Sequence, residues 1–153
     1  MTYVTTADTT PDCFLCATVA ENRDRENLIL LRGAHAFAIL NLYPYNTAHT
    51  LVAPYAHISD YGHLAGAIAA DMTTMAQRMV RALTAEYTPE GFNIGMNIGR
   101  VAGAGLPSHL HTHIVPRWAG DTNFMPVTGD VKVLPETLDR TWERLRGRLD
   151  ERE

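Results

Sequence analysis

The alternation of apolar and polar positions along the chain predicts several short strands around one long helix. Strands are predicted at residues 28–31, 35–40, 49–53, 92–97 and 110–115, each followed by a turn rich in proline, glycine or asparagine. Between the third and fourth strands, apolar residues recur every three or four positions from His63 to Tyr87, which predicts a helix with one buried stripe. A second stripe predicts a final helix from about Leu134 to Leu149. This order of elements predicts an α+β fold with an antiparallel sheet.

The length and composition of the chain predict one globular domain over residues 1–153, with residues 1–12 forming a loose polar arm. No apolar run approaches the roughly 20 residues of a membrane helix, and residues 1–12 lack the apolar centre of a signal peptide. We therefore expect a cytoplasmic protein without a membrane partner. The net charge of −4 offers no broad basic surface, so we expect no nucleic-acid partner. Lys132 is the only lysine and no Gly-Lys-Ser/Thr occurs, which excludes a P-loop.

Three histidines alternate with other residues in the run His109-Leu110-His111-Thr112-His113 of the last predicted strand. Because side chains of a strand alternate between its faces, the three imidazoles are expected on one face and Leu110 and Thr112 on the other. Residues four apart on a strand lie roughly 13 Å apart, whereas the ligands of one zinc ion lie about 2 Å from it. At most two neighbouring histidines can therefore share a metal, and a zinc centre built from all three is disfavoured.

A neutral imidazole can instead attack phosphorus, which divides one difficult transfer into two easier steps. The attacking ring needs its second nitrogen held by an acceptor, so that the correct tautomer faces the substrate. His111 is the best placed of the three, because a neighbouring imidazole can assist it on either side. The glycine-rich segment 99–108 can supply backbone N–H groups to an anion, and Asn97 can add a side-chain amide. The sequence thus predicts His111 as a nucleophile beside a phosphate-binding loop.

Cys13 and Cys16 have the Cys-x-x-Cys spacing that is typical of a metal knuckle. Two ligands do not close a tetrahedral site, so a metal would need two more from elsewhere in the chain. Two reduced and partly buried thiols are the alternative interpretation. A redox pair is disfavoured, because no thioredoxin-like βαβ pattern surrounds the two cysteines.

The histidine run resembles the signature of the histidine-triad (HIT) family, in which three histidines alternate with apolar residues, and Thr112 is its one mild departure. Segment 37–54 looks like the family's upstream segment, and the resemblance extends from about Cys13 to Arg117. Segments 102–106 and 118–126 resemble the branch that includes diadenosine tetraphosphate phosphorylases. The resemblance implies a five-stranded antiparallel sheet with one long helix and a C-terminal helix, paired into a homodimer.

The resemblance also implies an enzyme that cleaves a nucleoside polyphosphate at the α-phosphate through a nucleotidyl-histidine. In the catalytic group, His111 would be the nucleophile, His113 would contact the α-phosphate or the leaving group, and His49 would support the triad that His109 completes. The implied nucleotide-binding positions are Asn41 at the ribose, Ile39 and Leu40 near the base, and Asn97, Gly103, Ala104, Gly105 and His113 at the phosphates. No organic cofactor is expected.

Zinc-bearing members of the family take two further ligands from a histidine after the upstream strand and from the first histidine of the triad. The matching positions are His57 and His109, so the resemblance implies a structural zinc site made by Cys13, Cys16, His57 and His109. A closed site with four protein ligands leaves no open position for catalysis. One departure from the family pattern is Ala48, which replaces the usual glycine before His49.

Other functions are compatible with the same residues. The chain could be a purine-nucleotide-binding adaptor or a nucleoside phosphoramidase with incidental turnover. It could also be a zinc-dependent hydrolase that uses two histidines of the triad, and a chelator would then abolish its activity. Arg100 and Arg117 could meet the distal phosphates of a long substrate, or they could be solvated surface charges.

Overall fold

The computed structural model describes residues 12–121 and 136–151 of the chain. The elements in chain order are α1 (Phe14–Ala20), β1 (Ile29–Arg32), β2 (Ala36–Leu40), β3 (Thr50–Pro54), α2 (Gly66–Tyr87), β4 (Gly91–Gly95), β5 (Thr112–Arg117) and α3 (Leu138–Asp150). Most of the predicted arm and nearly all of the predicted loop at 121–133 lie outside the described residues. None of the helices in the described part is both long and apolar enough to cross a membrane.

The five strands form one antiparallel sheet in the order β1-β2-β3-β5-β4, which confirms the predicted fold class. Strand β3 lies beside the histidine strand and pairs Leu51 with His113 and Thr50 with Ile114. Strand β5 begins at Thr112, two residues later than predicted. The reason is that the Leu110 N–H donates to the Ile58 carbonyl at 2.8 Å, in a loop, and takes no part in the ladder.

Helix α2 covers one face of the sheet with its predicted apolar stripe. Met72, Met75 and Met79 are each at most 5% exposed and pack in the main core, which confirms that they are core residues. The helix begins at Gly66 and not at His63, because residues 61–63 form a separate 3₁₀ turn. One face of the sheet is therefore covered by α2.

Helix α3 begins at Leu138, so the predicted start at residues 134–136 was too early. Thr137 caps the helix, and its side-chain oxygen accepts the N–H of Arg140 at 3.2 Å. The residue before the cap, Glu136, accepts the Tyr87 hydroxyl at 2.6 Å and so ties the start of α3 to the end of α2. The predicted apolar face of α3 packs on the main core through Leu138, Trp142, Leu145 and Leu149.

The opposite face of the sheet carries a second, smaller core beneath α1. Its buried members are Cys13, Leu15, Cys16, Ile29, Phe37, Ile39, Leu51 and Ala53. The short helix begins at Phe14, just after the first cysteine, so Cys16 lies within it. Both cysteines are thereby placed on the face of the sheet that α2 does not cover.

Asp71 of α2 holds the turn that joins β1 to β2. Its Oδ2 accepts the backbone N–H groups of His35 at 2.7 Å and Ala36 at 2.9 Å. The helix approaches Gly33 closely, since an added Cβ would lie 2.8 Å from the Met75 Cε atom, 3.0 Å from Asp71 Oδ2 and 3.1 Å from the Ala36 carbonyl oxygen. The turn and the helix therefore fix each other.

We expect Asp71→Ala to lower the free energy of unfolding by about 1–3 kcal/mol, because two backbone donors lose their acceptor. The control is Thr74→Ala, a truncation at an exposed position of the same helix, for which we expect a change below about 0.5 kcal/mol. Urea denaturation followed by circular dichroism measures both. Equal losses in the two variants would contradict the role given to Asp71.

Candidate functional site

The three histidines of the run occupy different environments. His109 and His111 precede β5 and are 1% and 7% exposed, whereas His113 lies within β5 and is half-buried. The ring centroids of His111 and His113 are 5.0 Å apart. The Nδ1 atom of His109 instead lies 3.4 Å from the sulfur of Cys13. The run is thus divided into a histidine pair and a separate histidine that joins the cysteines.

The imidazole of His111 is held in one tautomer by the backbone. Its Nδ1 lies 2.8 Å from the carbonyl oxygen of His109. A carbonyl oxygen only accepts, so Nδ1 carries the hydrogen and donates it. In the neutral ring the lone pair then lies on Nε2. This is the arrangement that nucleophilic attack requires.

A chain of hydrogen bonds also fixes the tautomer of His113. The Tyr45 N–H donates to the Nδ1 of His49 at 3.0 Å, so the neutral ring of His49 carries its hydrogen on Nε2. That Nε2 lies 2.9 Å from the Nδ1 of His113, which accepts the hydrogen. In its neutral form His113 therefore carries its own hydrogen on Nε2, as a donor.

Burial keeps His113 in the neutral form that this chain of bonds needs. Desolvation is the main cause that lowers the pKa of His113 below its usual value, and the nearby His111 adds to the effect. The ring of Tyr45 stacks on His113 with centroids 5.8 Å apart and an angle of 12° between the planes. A lone pair at His111 and an N–H donor at His113 thus lie on adjacent rings.

The two residues predicted to lie near the base point to opposite faces of the sheet. Strand pairing places Ile39 on the same face as Leu51 and His113, and Ile39 packs in the second core. Leu40 points to the opposite face, where it is buried in the main core under α2. The prediction that Leu40 lies near the base is therefore not carried forward, because neighbouring strand residues alternate between faces.

Asn41 lies at the end of β2 beside His49. Its backbone N–H donates to the His49 carbonyl at 2.9 Å, and its Oδ1 accepts the Tyr43 N–H at 3.0 Å. The Nδ2 of Asn41 lies 3.3 Å from the Nδ1 of His49, where it can donate alongside Tyr45. Its ribose contact stays a prediction, at a position directly beside the histidines.

The glycine-rich segment forms a compact turn near Asn97. Gly103 has a φ of +92°, and a Cβ added there would lie 3.7 Å from the Asn97 Nδ2 atom. The N–H groups of Gly103 and Ala104 donate within the turn, to Arg100 and Gly99. These bonds occupy the N–H groups of Gly103 and Ala104. The phosphate contacts of the segment stay a prediction, and the Asn97 amide and the exposed Gly105 are the candidates for them.

Cys13, Cys16, His57 and His109 come together from distant parts of the chain. Their ligand atoms all lie within 4.8 Å of one another. The Nδ1 atoms of the two histidines are 3.3 Å apart, and Cys16 Sγ lies 3.4 Å from His57 Nδ1 and 3.5 Å from His109 Nδ1. Four ligands about 2.0–2.3 Å from a tetrahedral ion lie about 3.3–3.8 Å apart, so these donors fit a metal ion of the zinc type.

The protonation of His109 suits a metal ligand. Its Nε2 donates to the Pro54 carbonyl at 2.8 Å, which leaves the Nδ1 lone pair directed at the two cysteines. Burial, together with the neighbouring His57 and His111, lowers the pKa of His109 to about 4. The ring is therefore neutral at physiological pH, as coordination requires.

The charged residues near the end of β5 are already engaged. Arg117 donates to both carboxylate oxygens of Asp121, at 2.7 and 2.8 Å, and to the Asn93 Oδ1 at 2.7 Å.

The sequence did not predict the contacts of Tyr45 and Asp121. The Tyr45 contact uses a backbone N–H group, which leaves no residue-type signal in the sequence.

A cavity of about 600 Å³ lies on the α2 side of the sheet, lined by residues such as Met72, Val80, Ile94 and Thr112. None of the predicted site residues lines it. The histidines and the Cys/His cluster face the other side, so the chemistry of the site and this cavity are separate.

The chain is similar to known proteins of one family. A family profile described as the HIT domain matches residues 22–120. The AP-4-A phosphorylase of Mycobacterium tuberculosis is 42% identical over 118 residues, which is 77% of this chain and 60% of that protein. The chain thus spans 60% of the length of this curated relative. An uncharacterised HIT-like protein of Methanocaldococcus jannaschii is 29% identical, over 88% of this chain and 99% of its own.

Among solved structures, a zinc-bound histidine triad family protein from Mycobacterium smegmatis superposes with a TM-score of 0.75. It is 26% identical and covers 92% of this chain and 94% of its own. A histidine triad nucleotide-binding protein from Sulfolobus tokodaii has a TM-score of 0.73 at 26% identity, over 91% of this chain and 93% of its own.

We expect His113 to titrate with a pKa below the ordinary histidine value of about 6.5, because burial disfavours its charged form. In the His111→Gln variant the pKa should rise but stay below that value, since only the smaller of the two causes is removed. A pH titration of the ring carbon-bound protons by NMR measures both. A midpoint at or above the ordinary value in the wild type would contradict the buried, neutral state.

Proposed function

Since the chain belongs to the HIT family, we propose that it cleaves nucleoside polyphosphates at the α-phosphate through a nucleotidyl intermediate on His111. Diadenosine tetraphosphate is the substrate we propose, because the relative that shares 42% identity is an AP-4-A phosphorylase. The observation that carries the proposal is the hydrogen bond from His111 Nδ1 to the His109 carbonyl, at 2.8 Å. It leaves a buried nucleophilic Nε2 next to the donor of His113.

In the proposed first step, the lone pair on His111 Nε2 attacks the α-phosphorus. A bond forms between nitrogen and phosphorus, and the bond between phosphorus and the bridging oxygen breaks. The leaving oxygen keeps the electron pair of the broken bond and departs as part of the ATP anion, while the Nε2–H of His113 donates a hydrogen bond to it and keeps its proton. The products are ATP and an AMP group bound to His111.

In the second step an acceptor attacks the same phosphorus and releases His111. The bond between phosphorus and His111 Nε2 breaks, and its electron pair returns to Nε2, which restores the starting tautomer of His111. The Nε2–H of His113 again donates to a phosphate oxygen, and any proton that the acceptor loses passes to solvent. Inorganic phosphate as the acceptor gives ADP, and water gives AMP. We propose that phosphate is used, in keeping with the AP-4-A phosphorylase relative.

The nucleotide would be held by groups that surround this pair. We assign Ile39 to the base side and Asn41 to the ribose hydroxyls, as both lie on the β2 segment beside His49. Asn97 and Gly105 are assigned to the phosphates. Neutral imidazoles and amides bind an anion here without a basic surface, which suits the net charge of −4.

We also propose that Cys13, Cys16, His57 and His109 hold a structural zinc ion. The support is the tetrahedral spacing of the donors and the zinc-bound relative from Mycobacterium smegmatis. When bound, zinc would fix α1 and His109 in place. It would take no part in the chemistry, because four protein ligands leave no open position. His109 is thus assigned to the metal and, through its carbonyl, to the orientation of His111.

A second copy of this chain is the partner that we propose. Strand β4 forms an edge of the sheet and leaves backbone groups on its outer side. Ile94 of this strand is 53% exposed, and the nearby Ile98 is 48% exposed. An apolar, unpaired edge of this kind suits association with an identical edge.

Incubation with diadenosine tetraphosphate and phosphate should yield ADP and ATP. Turnover by His111→Gln should fall by at least about 10³-fold, because the nucleophile is lost. The matched control is His35→Gln, since the side chain of His35 is exposed on a distant turn, and this variant should retain wild-type turnover. Chromatography of the nucleotides measures each product.

Mass spectrometry after brief exposure to substrate should find AMP on His111. Formation of AMP in place of ADP would assign water as the acceptor. Tight AMP binding without turnover of any polyphosphate would contradict the enzyme and favour an adaptor. Turnover that vanishes with a chelator and returns with zinc, without any adduct on His111, would favour the zinc-dependent hydrolase.

Zinc analysis of the purified protein should find about one ion per chain, and removal of the ion by a chelator should lower the melting temperature. We expect His57→Ala to lower the free energy of unfolding by at least about 2 kcal/mol, because the zinc-bound state is lost. His35→Ala is the matched truncation at an exposed site and should change it by less than about 0.5 kcal/mol. Equal zinc content in His57→Ala and the wild type would contradict the site.

A further inference from the structure

A second polar cluster lies at the end of β5, outside the groups assigned above. The Asp121 side chain is only 9% exposed and accepts several hydrogen bonds. Its donors are the Arg117 side chain at 2.7 and 2.8 Å and the Trp118 backbone N–H at 3.0 Å. The Asn46 Nδ2 also donates to it, at 2.8 Å. Within residues 12–121 and 136–151, this carboxylate is thus held by donors from its own segment and from one residue distant in the chain.

Asn46 is that distant residue, and it belongs to the loop between β2 and β3, residues 41–49. Besides Asp121, its Nδ2 donates to the Pro116 carbonyl at 3.0 Å. Its own backbone carbonyl accepts the His49 N–H at 3.2 Å. The amide of Asn46 therefore fastens the middle of the β2–β3 loop to the far end of the histidine strand.

The neighbour of Asn46 in the chain makes the contact that sets the tautomer of His49. The Tyr45 N–H donates to His49 Nδ1 at 3.0 Å, and the Tyr45 ring lies 4.7 Å from the His49 ring between centroids. The position of the Tyr45 amide depends on where the loop lies, and Asn46 fastens the loop one residue away. Asn46 therefore acts on His49 through the backbone.

We propose that Asn46 and Asp121 are positioning residues for the donor side of the site. They hold the β2–β3 loop so that Tyr45 keeps the hydrogen of His49 on Nε2, and His49 then keeps the hydrogen of His113 on Nε2. The part of this inference that concerns turnover rests on the proposed function. The part that concerns the tautomers does not.

The backbone of Ala48 is strained, and this strain must be held by contacts of the loop. Ala48 has a φ of +62°, in the left-handed region that favours glycine, and it is only 4% exposed. A strained residue between Asn46 and His49 persists only where its surroundings hold it. The side-chain contacts of Asn46 supply such a constraint from outside the loop.

The test replaces Asn46 with aspartate, which keeps the shape of the side chain and removes both N–H donors. Protein labelled with ¹⁵N at histidine reports the tautomer of each ring through the couplings of its nitrogens to the ring protons. In the wild type we expect His49 and His113 in the Nε2–H form. In Asn46→Asp we expect the Nδ1–H form of His49 to appear, with kcat lower by about tenfold to a hundredfold and KM changed by less than about threefold.

The matched control is Asn93→Ala. It removes another contact of Arg117, the 2.7 Å bond to Asn93 Oδ1, and leaves the β2–β3 loop untouched. Its histidine spectra and kcat should equal those of the wild type. The double variant Asn46→Asp/Asp121→Asn restores a donor and an acceptor with their direction reversed, and should recover part of the wild-type tautomer population.

Asn46→Asp places two carboxylates together, so Asn46→Ala, which adds no charge, is measured as well. If a folded Asn46 variant loses thermal stability but keeps the wild-type tautomers, the contact is structural only and the inference is wrong. If the wild type turns over no polyphosphate, the proposed function fails, and the tautomer spectra still decide the positioning role. A kcat unchanged in both Asn46 variants, with an active wild type, would also overturn it.

Discussion

The hydrogen bond from the His111 ring to the carbonyl of His109 is the contact on which the rest of the site depends. It fixes the lone pair of His111 on Nε2, and it does so through the backbone of a residue whose own ring lies among two cysteines and a second histidine. One residue therefore joins the two functional groupings of the molecule. Its carbonyl serves the histidine pair and its ring serves the Cys/His cluster. A displacement of His109 would therefore change both the orientation of His111 and the geometry of the Cys/His cluster.

The two faces of the sheet differ in what they carry. Helix α2 and the methionine stripe bury one face in a continuous apolar core, where polar chemistry would be costly. The other face carries a short helix and a small core, and it holds the chemistry-bearing side chains at its margin. The packed core makes the sheet rigid. The sheet in turn holds the ring of His49, just before β3, close to the ring of His113 in β5. The Nε2 of His49 and the Nδ1 of His113 lie 2.9 Å apart at this margin.

The site works with neutral donors and acceptors throughout. Burial lowers the pKa of His109 to about 4 and shifts the pKa of His113 in the same direction, so both rings are uncharged at neutral pH. Each neutral ring has one donor and one acceptor, and its neighbours decide which nitrogen is which. The arginine nearest to the histidine strand, Arg117, is bound to Asp121 and serves the geometry of the loop.

Residue types along the chain sufficed to predict the α+β fold and the core role of the methionine stripe, because hydrophobic period and strand alternation are local properties. Resemblance to the HIT family supplied the grouping of His57 with His109 and the cysteines. Only the tertiary structure decided that β5 begins at Thr112 and that Leu40 faces the core. It alone decided which nitrogen of each ring carries the hydrogen, since these outcomes depend on partners distant in the chain. The Tyr45 amide and the Asn46–Asp121 contact could not be read from residue types, because the first is backbone and the second spans 75 positions.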